Sequence, residues 1–242
     1  PAENFPFCTI EPNVGKVPLP DNRLKKLNDI VNSKKIIPAS LDLVDIAGLV
    51  KGASQGEGLG NAFLSNIREM NALAHVVRCF EDENITHVDG SIDPVRDAEI
   101  INLELIMSDL ETVSKRILKC EKLLKTNDKK NKAEHEILLK IKSELDQGKL
   151  INIESFNKDE RLIIRSFQLL STKPTFYIAN ISDDRSSDDA LNKLIEFANL
   201  SDNTVIPTSI KIEQEIAILD EEERKEYLEL MDMDEPVLNK II

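Results

Sequence analysis

The sequence predicts an α/β domain built on a parallel sheet and interrupted by an antiparallel helical hairpin. Three observations carry that reading. Short apolar runs alternate with a helical pattern near the start, a heptad seam occupies the middle, and the strand–helix alternation returns near the end. The first stretch holds two strand candidates, Leu41–Asp45 and Ala74–Phe80, both expected to be buried. Between them Phe63, Leu64, Ile67 and Met70 fall near helical spacing, so the order is strand, loop, helix, strand. From residue 97 the character changes. Leu103, Ile106, Leu110, Val113, Ile117, Cys120 and Leu124 follow one another at spacings of 3, 4, 3, 4, 3 and 4, a coiled-coil seam. The polar stretch 125–132 interrupts it, and Leu138, Ile141 and Leu145 mark one face of a second helix that Gly148 is placed to stop. After Lys173 come a strand over 175–180, a helix over 190–199, a short strand over 204–207 and an acidic helix from Ile212. The expected organisation is therefore 1–96 and 173–242 as two parts of one domain, with 97–172 inserted.

Composition bounds the function. With 242 residues, 41% hydrophobic and 31% charged, the chain reads as globular. No apolar run approaches the roughly 20 residues of a membrane span, and no charged-then-apolar start reads as a secretory signal. Cys8, Cys79 and Cys120 are far apart, which fits neither a disulfide framework nor a zinc site and points to a reducing cytoplasm. The net charge of −13 argues against a protein that coats DNA by bulk charge. Yet residues 115–142 hold ten basic and four acidic residues, +6 in all, which leaves −19 for the rest. That basic hairpin is a candidate contact surface; a solvated helix face is the plainer reading.

The strongest chemical signal follows the first strand. Asp45-Ile-Ala-Gly48 opens a stretch in which five of the eight glycines lie between positions 48 and 60. An Asp at a strand end can hold Mg²⁺ through water, and a glycine three residues on can bring its N–H to a γ-phosphate. A plain surface loop is the alternative. Asn180-Ile-Ser-Asp183 also ends a strand. It resembles the Asn-Lys-x-Asp base-reading motif of guanine-nucleotide switches, with Ile181 in place of the Lys; an Asx turn closing the strand is the alternative. Thr208-Ser209 follows the next strand, where such a domain puts its second base-contacting loop. Asn13-Val-Gly15-Lys16 imitates the end of GxxxxGK[ST], but Ile10 and Val17 stand where Gly and Ser/Thr are needed, so it is rejected. Of the three histidines, His75 opens a strand and reads as structural, and His135 is expected to be exposed on the hairpin. His87 lies in a polar loop where a general acid or base could reach a nucleotide.

Asn4-Phe-Pro-Phe-Cys-Thr9-Ile-Glu-Pro-Asn13-Val-Gly15 and Asp45-Ile-Ala-Gly-Leu-Val-Lys-Gly-Ala-Ser-Gln-Gly-Glu-Gly-Leu-Gly-Asn61 resemble the YchF (Obg-like ATPase) family of P-loop NTPases. The resemblance runs through Val76–Phe80, the hairpin and Lys173–Asn180 to Leu219–Arg224. It implies an α/β P-loop NTPase (GTPase-like) core with an inserted coiled-coil hairpin. It further implies Mg²⁺-dependent hydrolysis of ATP in preference to GTP, and association with the ribosome. By the same resemblance Thr9 and Asp45 serve the metal, Gly48 the γ-phosphate and His87 the catalytic step, since Leu49 stands where related switches carry a water-positioning glutamine. Asn180, Ile181, Asp183, Ser209 and Ile210 would face the base. The family's phosphate-binding loop falls upstream of Ala2 and its TGS domain beyond Ile242. The chain is thus expected to be a fragment without that loop, one that fails to bind nucleotide tightly and is inactive by itself. The family usually has Glu at the position of Asp183, so ATP preference is less firmly implied than hydrolysis. A ribosome-binding module acting through the basic hairpin, with nucleotide chemistry incidental, is the alternative.

Overall fold

The computed structural model describes residues 13–19, 21–46, 59–82, 85, 90–123, 129–183, 186–231 and 233–241. The chain divides into two compact units. One comprises Pro1–Ile10, Ala47–His75 and Val95–Phe176; the other comprises Glu11–Ile46, Val76–Pro94 and Tyr177–Ile242.

The first unit is mostly helical. It contains α2 (Leu59–Glu69), α3 (Pro94–Leu123, starting one residue earlier than the unit), α4 (Lys129–Asp146) and α5 (Lys158–Arg165). α3 begins on a proline, whose fixed φ suits a first helical turn. Five residues separate α3 from α4. A parallel return along an 18-residue helix would need roughly 27 Å of chain, so α4 runs back antiparallel. Ile106, Val113, Ile117 and Cys120 of α3 join Ile137, Leu138, Ile141 and Leu145 of α4 in one core, closed by Ile164, Phe167 and Leu169. Gly148 has φ +71 and donates its N–H to the Leu145 carbonyl at 2.9 Å, the left-handed C-terminal stop that a glycine allows. Asn157 and Glu160 form a reciprocal capping box at the start of α5.

One buried polar knot ties this unit together. The fully buried Asp109 accepts from Leu170 N at 2.9 Å and from Ser171 N and Oγ, both at 2.7 Å. Arg68 of α2 donates to Ser108 Oγ at 3.0 Å, Thr112 Oγ1 at 3.1 Å and the Gln168 carbonyl at 3.0 Å. Lys173 donates to the Arg68 carbonyl at 2.9 Å and to the Met70 carbonyl, capping the negative end of α2.

The second unit carries β1 (Asn13–Pro18), α1 (Asn22–Val31) and β2 (Ser40–Asp45), then α6 (Asp188–Asn199), β5 (Val205–Thr208), α7 (Ile210–Ile218), α8 (Glu221–Leu230) and α9 (Val237–Ile241). Two further strands, β3 (Leu73–Arg78) and β4 (Thr175–Asn180), start in the first unit and end in the second. They form a sheet ordered β3-β4-β5. β4 and β5 are parallel, with Tyr177 opposite Val205 and Asn180 opposite Thr208. Leu73 N bonds the Pro174 carbonyl and Cys79 N the Asn180 carbonyl, both at 2.8 Å, so β3 advances in step with β4 and is parallel to it. α6 and α9 both pack on β5, and Tyr177 meets Phe197 edge-on at 6.1 Å.

Several expectations change. The strand at 41–45 exists, but it is not buried: β2 pairs antiparallel with β1 in a two-stranded ribbon, and only Leu43 and Val44 are half-buried. Its apolar run comes from an incomplete alternation in which Asp42 faces solvent. The rejected Gly15-Lys16 lies mid-strand in β1. The coiled-coil seam begins at Ile106, since Leu103 is 52% exposed while Leu105 is buried in its place. His135 is half-buried rather than exposed, because α4 turns its ring toward α3, 3.9 Å from Glu121. β1, α1 and α5 were not foreseen.

Candidate functional site

β3, β4 and β5 end level with one another. Cys79 N reaches the Asn180 carbonyl at 2.8 Å, and Ile181 N reaches the Thr208 carbonyl at 3.0 Å. Three segments therefore leave one sheet edge, at the carboxyl ends of parallel strands where α/β folds take ligands: Phe80–Asp82, Asn180–Asp183 and Ser209–Ile210.

The second and third segments are joined. Asn180 Oδ1 accepts from Ile210 N at 3.3 Å, and Asp183 Oδ1 accepts from the Ser209 hydroxyl at 2.5 Å. Lys211 Nζ stands 3.6 Å from Asp183 Oδ2. Ser209 is also the N-cap of α7, accepting from Ile212 N at 3.4 Å. The sequence places Ser209 there because a hydroxyl at a strand-to-helix corner can serve both neighbours. Asn180, Ile181 and Ser209 are half-buried, while Asp183 and Ile210 are exposed. All five residues expected at the base are thus brought together. Tyr227 of α8 donates to Glu215 Oε2 at 2.5 Å, and that hydrogen bond pushes the phenol pKa up.

Sequence reasoning missed two supports of this edge. Ser187 is buried and holds the loop after β4 through Ser182, whose N–H reaches Ser187 Oγ at 2.9 Å. Arg78, the last residue of β3, donates to three carbonyls of the segment that follows it. Runs of serine and a lone arginine carry no recognisable spacing, so neither stood out.

Asp45 closes β2, exposed and opposite Asn13. Among the described residues no three His, Cys, Asp or Glu side chains converge on a metal position. A single accessible carboxylate still fits Mg²⁺, which usually takes one or two carboxylates and leaves the rest of its shell to water and phosphate. Thr9, Gly48 and His87 lie outside the described residues, as do Leu49 and Lys125.

The basic hairpin is partly neutralised. Lys115 pairs with Glu111, Arg116 with Glu134, Lys140 with Glu160 and Lys142 with Asp146. Toward the end of α3, Lys119 and Lys122 are exposed and have no acidic partner within 4.0 Å among the described residues. No helix among the described residues is long and apolar enough to cross a membrane.

Comparison with known proteins gives the following. Residues 1–108 match the family model described as a 50S ribosome-binding GTPase. The chain is 47% identical over 245 residues to the Ribosome-binding ATPase YchF of Bacillus subtilis, and 46% identical over 242 residues to that of Escherichia coli O157:H7. Each alignment covers 100% of this chain and 67% of the relative. The solved structure of the Schizosaccharomyces pombe YchF GTPase superposes with a TM-score of 0.81 at 36% identity, over 98% of this chain and 66% of that one.

Proposed function

The chain belongs to the YchF family, and on that premise we propose that it hydrolyses nucleoside triphosphate, ATP before GTP, as a ribosome-associated switch in the cytoplasm. In this reading 1–96 and 173–242 are the nucleotide domain and 97–172 is the inserted hairpin. The observation that carries it is the joined pair of loops at the sheet edge, Asn180–Asp183 against Ser209–Ile210. That pair offers a base a side-chain amide and a carboxylate on one rim. Ile181 lends an apolar flank instead of the lysine stem of guanine-nucleotide switches. Asp183 already accepts from Ser209 and faces Lys211, which supports a base that does not depend on a free carboxylate, as adenine does not.

Thr9 and Asp45 would hold Mg²⁺, which neutralises phosphate charge when bound. The Gly48 N–H would meet the γ-phosphate, where the absent side chain permits close approach. Leu49 cannot orient water, so His87 takes that role. His87→Ala is expected to slow hydrolysis by about 100-fold with nucleotide affinity unchanged; single-turnover rates and equilibrium titration separate the two. An unchanged rate removes His87 from the mechanism.

A second reading, a ribosome-binding module in which hydrolysis is incidental, draws on Lys119 and Lys122, which have no acidic partner within 4.0 Å among the described residues, and on the basic stretch 129–132. Reversing the charge of Lys129, Lys130 and Lys132 is expected to weaken ribosome association and flatten its salt dependence while hydrolysis persists. Association unchanged at low salt would rule out the hairpin as the contact.

A further inference from the structure

We propose that Ser187 is a positioning residue for nucleotide binding, fixing the loop Asn180–Asp183 in the shape that receives the base. The inference rests on the reading that this loop faces the base. Ser187 is the N-cap of α6, and its carbonyl accepts from Leu191 N at 2.9 Å, as a helix-starting residue does. A serine at that place ordinarily turns its hydroxyl back onto the N–H groups of the first turn. Here the backbone stands at φ −89 and ψ −3 instead of being extended, and the hydroxyl makes no cap bond. It accepts from Ser182 N at 2.9 Å and shares a second hydrogen bond with Ser182 Oγ at 2.8 Å. Ser182 Oγ also lies 2.8 Å from Ser186 Oγ.

The start of α6 does not depend on that hydroxyl. Asp188 and Asp189 lie in the first turn, where negative charge favours the positive end of the helix dipole. Ser187 is only 3% exposed, and a hydroxyl withdrawn from water costs free energy unless it finds a partner. The partner it finds is the residue that stands between Asn180 and Asp183. Ser187 is itself firmly seated, because Leu194 and Ala198 of α6 are buried, the helix packs on β5, and Phe197 meets Tyr177 of β4. The loop is therefore referenced to the sheet through Ser187, while Ser209 holds Asp183 from the facing loop. A loop already held in its binding shape loses less conformational freedom when the ligand arrives. What the misdirected cap achieves is that preorganisation.

The test is equilibrium titration of the full-length protein with Mg-ATP and with Mg-ribose triphosphate, which carries the phosphates and the sugar but no base. Wild type, Ser187→Ala and Ser182→Ala are compared. Ser187→Ala is expected to raise the ATP Kd by about 5-fold or more and to leave the Kd for ribose triphosphate within about 2-fold. Ser182→Ala keeps its N–H on Ser187 and loses only the hydroxyl bonds, so a rise of about 2- to 3-fold for ATP alone is expected. That variant answers the question if Ser187→Ala fails to fold. A generally loosened fold would weaken both ligands alike, so equal losses for the two would overturn the proposal. So would an unchanged ATP Kd in both variants while wild type binds ATP more tightly than ribose triphosphate. If wild type binds the two ligands equally, the loop does not read the base, and that reading falls together with the proposal.

Discussion

Two titratable side chains shifted by burial, His75 and Asp109, respond to pH in opposite directions. His75 on β3 is half-buried, and burial pushes its imidazole pKa down to about 4 from an ordinary 6.5, with Asp97 pulling the other way. The unfolded chain takes up a proton at His75 before the folded one does. Its contribution to stability is therefore full above pH 6.5 and is lost as pH falls toward about 4, on the order of 3 kcal/mol in total. Asp109 behaves otherwise. Burial raises its carboxyl above the ordinary 3.8, against the hydrogen bonds from Leu170 and Ser171 and the nearby Arg68. The folded state holds that proton longer, so this contribution is present below pH 3.8 and declines as pH rises through the folded value. Denaturant melts at a series of pH values on wild type and His75→Phe check the first effect: the slope between pH 6.5 and about 4 should shrink by close to one proton in the variant. Asp109→Ala leaves the Leu170 and Ser171 donors buried without their acceptor, and is expected to cost about 3 kcal/mol or more. Its urea midpoint measures this; a loss under about 1 kcal/mol would mean water replaces the carboxylate. Neither residue was legible as important in the sequence. His75 read only as a structural strand residue and Asp109 did not stand out at all, because the partners that Asp109 binds lie up to 62 residues away.

The hairpin was the element most fully legible. Seven apolar positions in strict alternation of three and four specify a buried seam without tertiary information, and Gly148 marked its end correctly. The seam failed at its first residue, where α3 leaves the partner helix and buries Leu105 instead of Leu103. Ile141 and Leu138, both fully buried between the helices, are the places to test it. Ile141→Ala is expected to cost about 2–5 kcal/mol, while Leu139→Ala, at 47% exposed, should cost under about 1 kcal/mol. Equal losses would contradict the two-helix core. The strand elements were less legible. β4 was placed to the residue, since its centre, Phe176–Ala179, is continuously apolar and Tyr177, Ile178 and Ala179 are buried in succession, so both faces are covered, as in central parallel strands. β1 was missed because Lys16 and Pro18 break its alternation, and β2 was misjudged as buried because a short apolar run does not reveal its partner.

At the scale of the molecule, the arrangement that matters is three parallel strands delivering three loops to one edge, with two of those loops hydrogen-bonded to each other. The two loops that meet there, Asn180–Asp183 and Ser209–Ile210, were legible from two short motifs at fixed places after two strands. The supports that hold them, Ser187 and Arg78, were not, since both act through backbone groups that any residue supplies. The chain spans about two thirds of the relatives it matches, so the full-length protein is the object to measure. Side-by-side equilibrium titration of that protein with Mg-ATP and Mg-GTP tests the central claim most directly. Tighter binding of ATP, by about 10-fold or more (a difference of about 1.4 kcal/mol), is the predicted result. It would mean that Asp183, engaged by Ser209 and Lys211, does not select guanine. Tighter binding of GTP, or binding of neither nucleotide, would contradict it.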